Sequence, residues 1–187
     1  MSTVQKVEPL SIENYLASES RGEERHEYVN GTVFAMVGGT ARHNQITSAI
    51  FSALRTHLKN KPCTVFMSDM KVQVDRVFYY PDVMVVCSPV DPESLFQTEP
   101  VLLVEVLSKS TEAKDRLEKL VAYQSLSSVK EYMLVSQDKV SVDIYRRGDD
   151  GWQLESLTYG DKVKLSSVDF EADVETFYED IIKSLAK

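Results

Sequence analysis

Two short apolar segments of this 187-residue chain each carry one carboxylate. Asp82 lies within residues 80–86, and Glu105 lies within residues 101–107. A carboxylate is expensive to bury in such surroundings unless a cation or hydrogen-bond donors compensate its charge. A divalent metal ion held between the two side chains would be one such compensation. Because metal-bound water can attack phosphodiesters, the pair suggests a metal site suited to that chemistry.

The spacing of the two acids indicates that they can meet. They are 23 residues apart, on consecutive predicted strands, and consecutive strands are usually neighbours in a sheet. Mg²⁺ and Mn²⁺ prefer oxygen ligands, and Mg²⁺ is typically held by one or two carboxylates plus substrate phosphate. The alternative is that Asp82 is a turn residue after Pro81 and that Glu105 is a salt-bridged or edge residue. Glu105 fits this alternative less well, because the rest of residues 101–107 is apolar.

The composition is that of an ordinary globular protein, with 43% hydrophobic and 27% charged residues. We expect one domain over residues 1–187, no membrane span, and a cytoplasmic location, because the chain start lacks a signal-peptide pattern. Cys63 and Cys87 are predicted to be buried free thiols in a reducing compartment. The net charge of −8 argues against non-specific nucleic-acid binding, although an acidic metal site would itself add negative charge.

The hydrophobic pattern predicts a mixed α/β or α+β fold with one central sheet. The Asn-Gly pair at 30–31 predicts a hairpin over residues 24–37, because both residues tolerate positive φ. Helices are predicted over residues 12–19, 40–60, 112–126 and 174–185. Strands are predicted over residues 63–74, 77–87, 100–107, 131–135, 140–146 and 152–158, with a loop at 88–99. The pattern contains no phosphate-binding glycine loop, no nucleophile elbow and no zinc-type Cys/His set.

Several short motifs follow one another in a specific order. They are Pro81 with Asp82, residues 105–111 (EVLSKST), residues 115–119 (DRLEK) with Tyr123, and residues 131–135 (EYMLV), preceded by residues 27–31 (EYVNG), Met36 and His43. In this order they resemble a bacterial family of restriction-endonuclease-like proteins in the PD-(D/E)XK nuclease superfamily. The resemblance covers residues 11–146 and implies a restriction-endonuclease-like core, in which helices flank a central mixed β-sheet.

The resemblance implies metal-dependent hydrolysis of phosphodiester bonds, with DNA as the expected substrate. Asp82 and Glu105 would bind Mg²⁺ or Mn²⁺, Glu27 would add a third acid to the metal site, and His43 and Tyr123 would lie close to it. A homodimer is expected, because nucleases of this class that cut both strands often pair their active sites. Two alternatives stay open: a non-catalytic nucleic-acid-binding or scaffold protein on the same fold, and a phosphoesterase acting on RNA or nucleotides.

One signature residue of the superfamily is missing from its usual place. The lysine two positions after the acid would fall at Leu107, on the same strand face as Glu105. The resemblance implies that Lys119, on the following helix, takes over this role. Its ammonium would orient the attacking water and stabilise charge on the phosphate.

The helical pattern alone predicts a different place for Lys119. The expected core face of its helix is formed by Leu117, Leu120, Val121 and Gln124, which leaves the lysine outside. A surface lysine paired with Asp115 four residues earlier would be an ordinary solvated ion pair. The pattern and the resemblance therefore give opposite predictions for this residue.

Overall fold

The computed structural model describes residues 9–36 and 38–185. The helices are α1 (Ile12–Glu19), α2 (Ala41–His57), α3 (Glu112–Lys114), α4 (Leu120–Ser125) and α5 (Ile182–Leu185). A π-helical turn, Asp115–Lys119, joins α3 to α4, and 3₁₀ turns lie at Ser166–Val168 and Val174–Phe177. The strands are β1 (His26–Val29), β2 (Thr32–Ala35), β3 (Thr64–Met67), β4 (Lys71–Val74), β5 (Val77–Tyr79), β6 (Val83–Val86), β7 (Phe96–Gln97), β8 (Pro100–Leu107), β9 (Glu131–Ser136), β10 (Ser141–Gly148), β11 (Gly151–Thr158), β12 (Lys162–Leu165) and β13 (Phe170–Asp173).

The strands form three sheets. The central sheet has six strands in the order β11-β10-β9-β8-β6-β3, with β8 and β9 parallel and the other neighbours antiparallel. A second sheet has the order β2-β1-β5-β4-β7, and β12 pairs with β13. The predicted mixed α/β class with a central mixed sheet is confirmed, but the described residues build three sheets rather than one.

The central sheet is buried on both faces, and this sets the direction of Glu105. Along β8, alternate side chains point to opposite faces. Leu102, Val104 and Val106 pack towards α2, in the core that includes Ile46 and Ile50. Leu103 and Leu107 belong to the other core, between the central sheet, the second sheet and α4. Glu105 has the same parity as Leu103 and Leu107, so it points between the two sheets.

Local sequence signals explain most element ends. Ser11 caps α1 by accepting a hydrogen bond from the Asn14 amide, and Thr40 caps α2 by accepting one from the His43 amide. The β1–β2 turn uses Asn30 at φ 49° and Gly31 at φ 97°. The predicted hairpin is therefore confirmed as β1 and β2, although its last residue, Val37, lies outside the described residues, as does the chain start.

Two predicted strands are each divided between sheets. The prediction for residues 63–74 is wrong because the chain turns at Ser68, which has φ 56°. The prediction for residues 77–87 placed a break at Pro81, and the structure separates β5 from β6 there. Proline cannot donate to a ladder. As a result β3 and β6 lie in the central sheet while β4 and β5 lie in the second. Asp82 follows the point at which the chain crosses from one sheet to the other.

Three further expectations are corrected. Cys63 and Cys87 are half-buried and joined by a disulfide, so the prediction of buried free thiols is wrong. They directly flank the paired residues Thr64 and Val86, and this proximity depends on which strands pair. The predicted helix over residues 174–185 is a 3₁₀ turn and the short α5, and the predicted loop at 88–99 contains β7. In the part of the chain that the structure describes, no helix is long and apolar enough to cross a membrane.

Candidate metal and catalytic site

The pairing of β6 with β8 brings the first two predicted residues together. Val83 pairs with Val104 in an antiparallel register, so Asp82, just before β6, lies beside the Glu105 end of β8. The backbone amide of Val106 donates a 2.7 Å hydrogen bond to Asp82 Oδ2. The predicted neighbourhood of the two strands is confirmed, and a main-chain donor fixes the Asp82 carboxylate.

Glu105 is almost completely enclosed, with 3% of its surface exposed. Its Oε1 accepts hydrogen bonds from Lys119 Nζ at 2.9 Å and from the Tyr123 hydroxyl at 3.0 Å. Burial raises the pKa of Glu105 well above its ordinary 4.5. Lys119 opposes that shift, while the charges of Asp115 and Asp82 add to it. The site therefore contains acids close enough to repel one another.

Lys119 lies at the centre of this cluster. Its ammonium is 2.9 Å from Glu105 Oε1, 3.2 Å from Glu27 Oε1 and 3.3 Å from Asp115 Oδ1, and its side chain is 6% exposed. Burial alone would lower the pKa of Lys119, but the three acids outweigh burial and raise it well above 10.5. The lysine is therefore a buried cation shared among carboxylates.

The helical-wheel prediction of a surface position for Lys119 is wrong. Asp115, Lys119 and Tyr123 face inwards, whereas Leu117 and Val121 are each 69% exposed. A π-turn has more residues per turn than an α-helix, which helps residues spaced by four to stay on one face. The wheel failed because it assumes an apolar interior, and here the interior is a cluster of charges. Its signal in the sequence was the repeat of polar residues at 115, 119 and 123.

Glu27 reaches the same cluster from β1. It is 7% exposed, and its second oxygen, Oε2, lies 2.5 Å from Lys114 Nζ. Each Glu27 oxygen thus faces one lysine. The ammonium of Lys114 also lies 5.3 Å from the Tyr79 ring centroid, a cation–π contact. Lys114 and Tyr79 were not predicted as site residues, and no spacing in the sequence singled them out.

His43 lies on the other side of Asp82, in the first turn of α2. Its Nε2 is 3.2 Å from Asp82 Oδ2, and both side chains are 18% exposed. Burial lowers the pKa of His43, but the hydrogen bond and the charge of Asp82 outweigh it, so the net shift is upward from 6.5. The structure thus brings His43 to the predicted acid pair.

A cavity of about 580 Å³ opens onto this cluster. Its wall includes Asp82, His43, Val106, Asp115 and Thr111. Behind that wall, Lys119 contacts Asp115, and Glu105 and Glu27 contact Lys119. The cavity therefore gives a ligand access to Asp82 and Asp115 before any other acid of the cluster.

The donor set fits a hard divalent cation. Asp82 and Asp115 both line the cavity, and both raise the pKa of Glu105 behind them. Asp115 Oδ1 is buried without a properly oriented hydrogen-bond donor among the described residues, although Lys119 Nζ is within ion-pair distance. Among residues 9–36 and 38–185, no three acid, histidine or cysteine side chains already enclose a common metal position. These residues therefore fit a divalent ion that is held by few carboxylates and completes its coordination with water or phosphate.

Comparisons with known proteins agree with this fold. A model of the Uma2 family, described as "Putative restriction endonuclease", matches residues 12–175. The uncharacterized protein slr1290 of Synechocystis sp. is 39% identical over 173 residues, which are 90% of this chain and 91% of that protein. The uncharacterized protein sll1609 of the same organism is 29% identical over 163 residues, covering 84% and 92%.

A solved structure has a similar fold. The crystal structure of a putative nuclease belonging to DUF820 from Anabaena variabilis superposes with a TM-score of 0.75 at 16% identity. The match covers 91% of this chain and 98% of that one.

Proposed function

Because the chain belongs to the Uma2 family of restriction-endonuclease-like proteins, we propose that it hydrolyses phosphodiester bonds of DNA in a reaction that requires Mg²⁺ or Mn²⁺. The observation that carries the proposal is the buried Lys119 ammonium, held by Glu105 behind a cavity wall that contains Asp82. An acid pair with an adjacent lysine is the set of groups that metal-assisted phosphodiester hydrolysis uses.

In this proposal Asp82 and Glu105 hold the ion. A bound divalent ion supplies water of lowered pKa and neutralises charge on the phosphate. The Val106 amide keeps the Asp82 carboxylate oriented, and His43 supplies a positive charge beside it when protonated. Tyr123 donates to Glu105 and fixes its rotamer between the sheets.

In this proposal Lys119 stabilises negative charge on the phosphate and on the attacking water. Its ammonium has three N–H donors, and one oxygen from each of three carboxylates lies within ion-pair distance of it. A phosphate oxygen or attacking water that reaches the cluster would take one of these donors. The surrounding acids keep the lysine protonated, so it stabilises negative charge rather than acting as a base.

Glu27 assists the site in this proposal. Direct metal ligation, the role expected from the resemblance, would require it to give up Lys119 or Lys114. Its present contacts support a role in which it holds both ammonium groups in place.

The test is a cleavage assay on supercoiled, linear and single-stranded DNA, and on RNA, with Mg²⁺, with Mn²⁺ and with chelator. The wild type should cut DNA only with metal. Asp82→Asn and Glu105→Gln should each lose about 100-fold or more, while Glu112→Gln, an exposed acid on α3, should cut normally. Equal activity in the wild type and Glu105→Gln, or no cleavage with any metal, would defeat the proposal. Cleavage of RNA alone would change the substrate and keep the chemistry.

A non-catalytic nucleic-acid-binding protein or scaffold is the second candidate. Two observations favour it: the net charge of −8 and the leucine at position 107. DNA binding measured by fluorescence anisotropy, without cleavage and without Mn²⁺ binding in calorimetry, would support this candidate over the nuclease.

We also propose that the protein acts in the cytoplasm and as a homodimer, because nucleases of this class that cut both strands of a duplex often pair their active sites. Light scattering of the purified chain tests the assembly. A monomer that nevertheless makes double-strand breaks in a single binding event would contradict it.

A further inference from the structure

Asp115 combines burial with access to the cavity. It begins the π-turn, is 1% exposed, and lines the same cavity as Asp82. Its backbone is held in place, because the Tyr132 hydroxyl donates to the Asp115 carbonyl at 3.1 Å. The backbone of Asp115 is therefore held in place at the wall of the cavity.

One oxygen of this carboxylate is poorly compensated. Oδ1 has no hydrogen-bond donor of suitable geometry in the described residues, and its nearby cation, Lys119 at 3.3 Å, is closer to two other acids. A buried, under-solvated carboxylate is costly to a folded protein. Burial raises the pKa of Asp115, and the charge of Lys119 and the hydrogen bonds from Thr111 and Lys119 only partly oppose this.

The charges behind the wall do not balance. Lys114 and Lys119 face three acids, Glu27, Glu105 and Asp115, so one negative charge is left before Asp82 is counted. Both Glu27 oxygens are occupied by lysines, whereas Asp115 faces the cavity. Asp115 and Asp82 are therefore the acids of the cluster that lie at the cavity.

We propose that Asp115 is a direct carboxylate ligand of a divalent metal ion that it shares with Asp82, and that Glu27 is a positioning residue for Lys119. This inference rests on the proposed metal-dependent function. It also gives the π-turn a role: π-turns occur frequently at functional sites, and this one points Asp115 and Lys119 inwards together.

The experiment is calorimetric titration of the metal-free, full-length protein with Mn²⁺, without nucleic acid. Asp115→Asn and Asp82→Asn should each weaken Mn²⁺ binding by about tenfold or more, as expected for lost metal-site residues. Glu27→Gln should change the affinity by less than about threefold. The control, Glu112→Gln, removes an exposed acid of the same helical segment and should leave binding unchanged.

Thermal unfolding separates ligation from structure. At the same concentration, Mn²⁺ should raise the Tm of the wild type and of Glu27→Gln by more than that of Asp115→Asn. Without metal, Asp115→Asn should melt at or above the wild-type temperature, because it loses a charge that repels Asp82 and Glu105. Asp115→Ser is the second variant, measured in the same way, in case the asparagine form does not fold.

Each other outcome overturns the inference. If Asp115→Asn binds Mn²⁺ like the wild type while Asp82→Asn does not, Asp115 is no ligand and the proposed nuclease function survives. If both Asp115 variants lose binding but also melt below the wild type without metal, the residue is structural. If Glu27→Gln binds Mn²⁺ tenfold more weakly than the wild type, Glu27 is a metal ligand and not a positioning residue. If the wild type binds no Mn²⁺, this inference and the metal dependence of the proposed function fail together.

Discussion

Two buried acidic centres of this molecule are compensated in opposite ways. Glu131, at the start of β9, is 1% exposed, like Asp115. Its Oε1 accepts from Arg146 and from the Ser166 amide at 3.1 Å, and its Oε2 accepts from the Ser167 amide at 2.9 Å and from the Ser167 hydroxyl. Every oxygen of Glu131 thus has at least two donors.

The acids around Lys119 have fewer hydrogen-bond donors than Glu131. One ammonium is divided among three acids, Asp115 Oδ1 has no well-oriented donor, and a cavity opens beside it. Glu131 joins β9, β10 and the 3₁₀ turn before β13, and both of its carboxylate oxygens are already bonded to donors of the protein. A buried acid with complete donors stabilises the fold, whereas a cluster of acids with too few donors is suited to bind a cation.

The largest expected effect is on catalysis, at Glu105. Replacing it by glutamine keeps the shape and removes the charge, so we expect cleavage to fall by about 10³-fold under saturating Mg²⁺. The measurement is single-turnover cleavage of a labelled duplex. Glu131→Gln is the matched control from the saturated centre and should retain wild-type chemistry once it is confirmed to be folded.

The next effect is on stability, at Lys119. Lys119→Met leaves Glu27, Glu105 and Asp115 buried without their shared cation, which should cost roughly 3–5 kcal/mol of unfolding free energy. Denaturant unfolding of the metal-free protein measures this. Lys114→Met should cost less, because the Lys114 side chain is 27% exposed. Equal stability of Lys119→Met and wild type would show that the cluster is not held by this ion pair.

A smaller loss is expected in the saturated centre. Glu131→Gln removes a charge that receives donors from Arg146, Ser166 and Ser167, which should cost roughly 2–3 kcal/mol. Its Mn²⁺ affinity should equal that of the wild type. A weaker Mn²⁺ affinity in this variant would remove the distinction between the two centres.

The smallest effect is a pH dependence. The pKa of Glu105 is raised in the folded state, so folding is favoured while the carboxyl is protonated, below about 4.5, and loses that contribution as pH rises through the raised pKa. The stability of the metal-free wild type should therefore decline relative to Glu105→Gln with rising pH, by at most about 1.4 kcal/mol per pH unit. A gap between the two proteins that stays constant with pH would contradict the raised pKa.

Much of the fold could be predicted because its signals are local. The predicted strand at residues 100–107 coincides with β8, and the helix at 40–60 contains α2, since apolar residues at the right period define both. The disulfide between Cys63 and Cys87 could not be predicted, because it depends on β3 pairing with β6. The split of residues 63–74 likewise follows from a positive φ at Ser68, a residue with no strong preference for it.

The site residues also divide into those that a local sequence signal reveals and those that it does not. Asp82 and Glu105 could be found because each is an acid within an apolar segment, Glu105 inside β8 and Asp82 directly before β6, and that pattern is visible in the sequence. Lys119 was predicted correctly only in its position near the acids, through the resemblance, since its helical pattern pointed to the surface. Asp115 was not predicted as a site residue, because an acid four residues before a lysine is common on exposed helices.

Anomalous diffraction from crystals of the protein grown with Mn²⁺ tests the distinction between the two centres most directly. An anomalous peak should lie within coordination distance of carboxylate oxygens of Asp82, Glu105 and Asp115, and none should lie at Glu131. No peak at Asp82 and Glu105, or a peak at Glu131 instead, would contradict the assignment of the Lys119 cluster as the metal site.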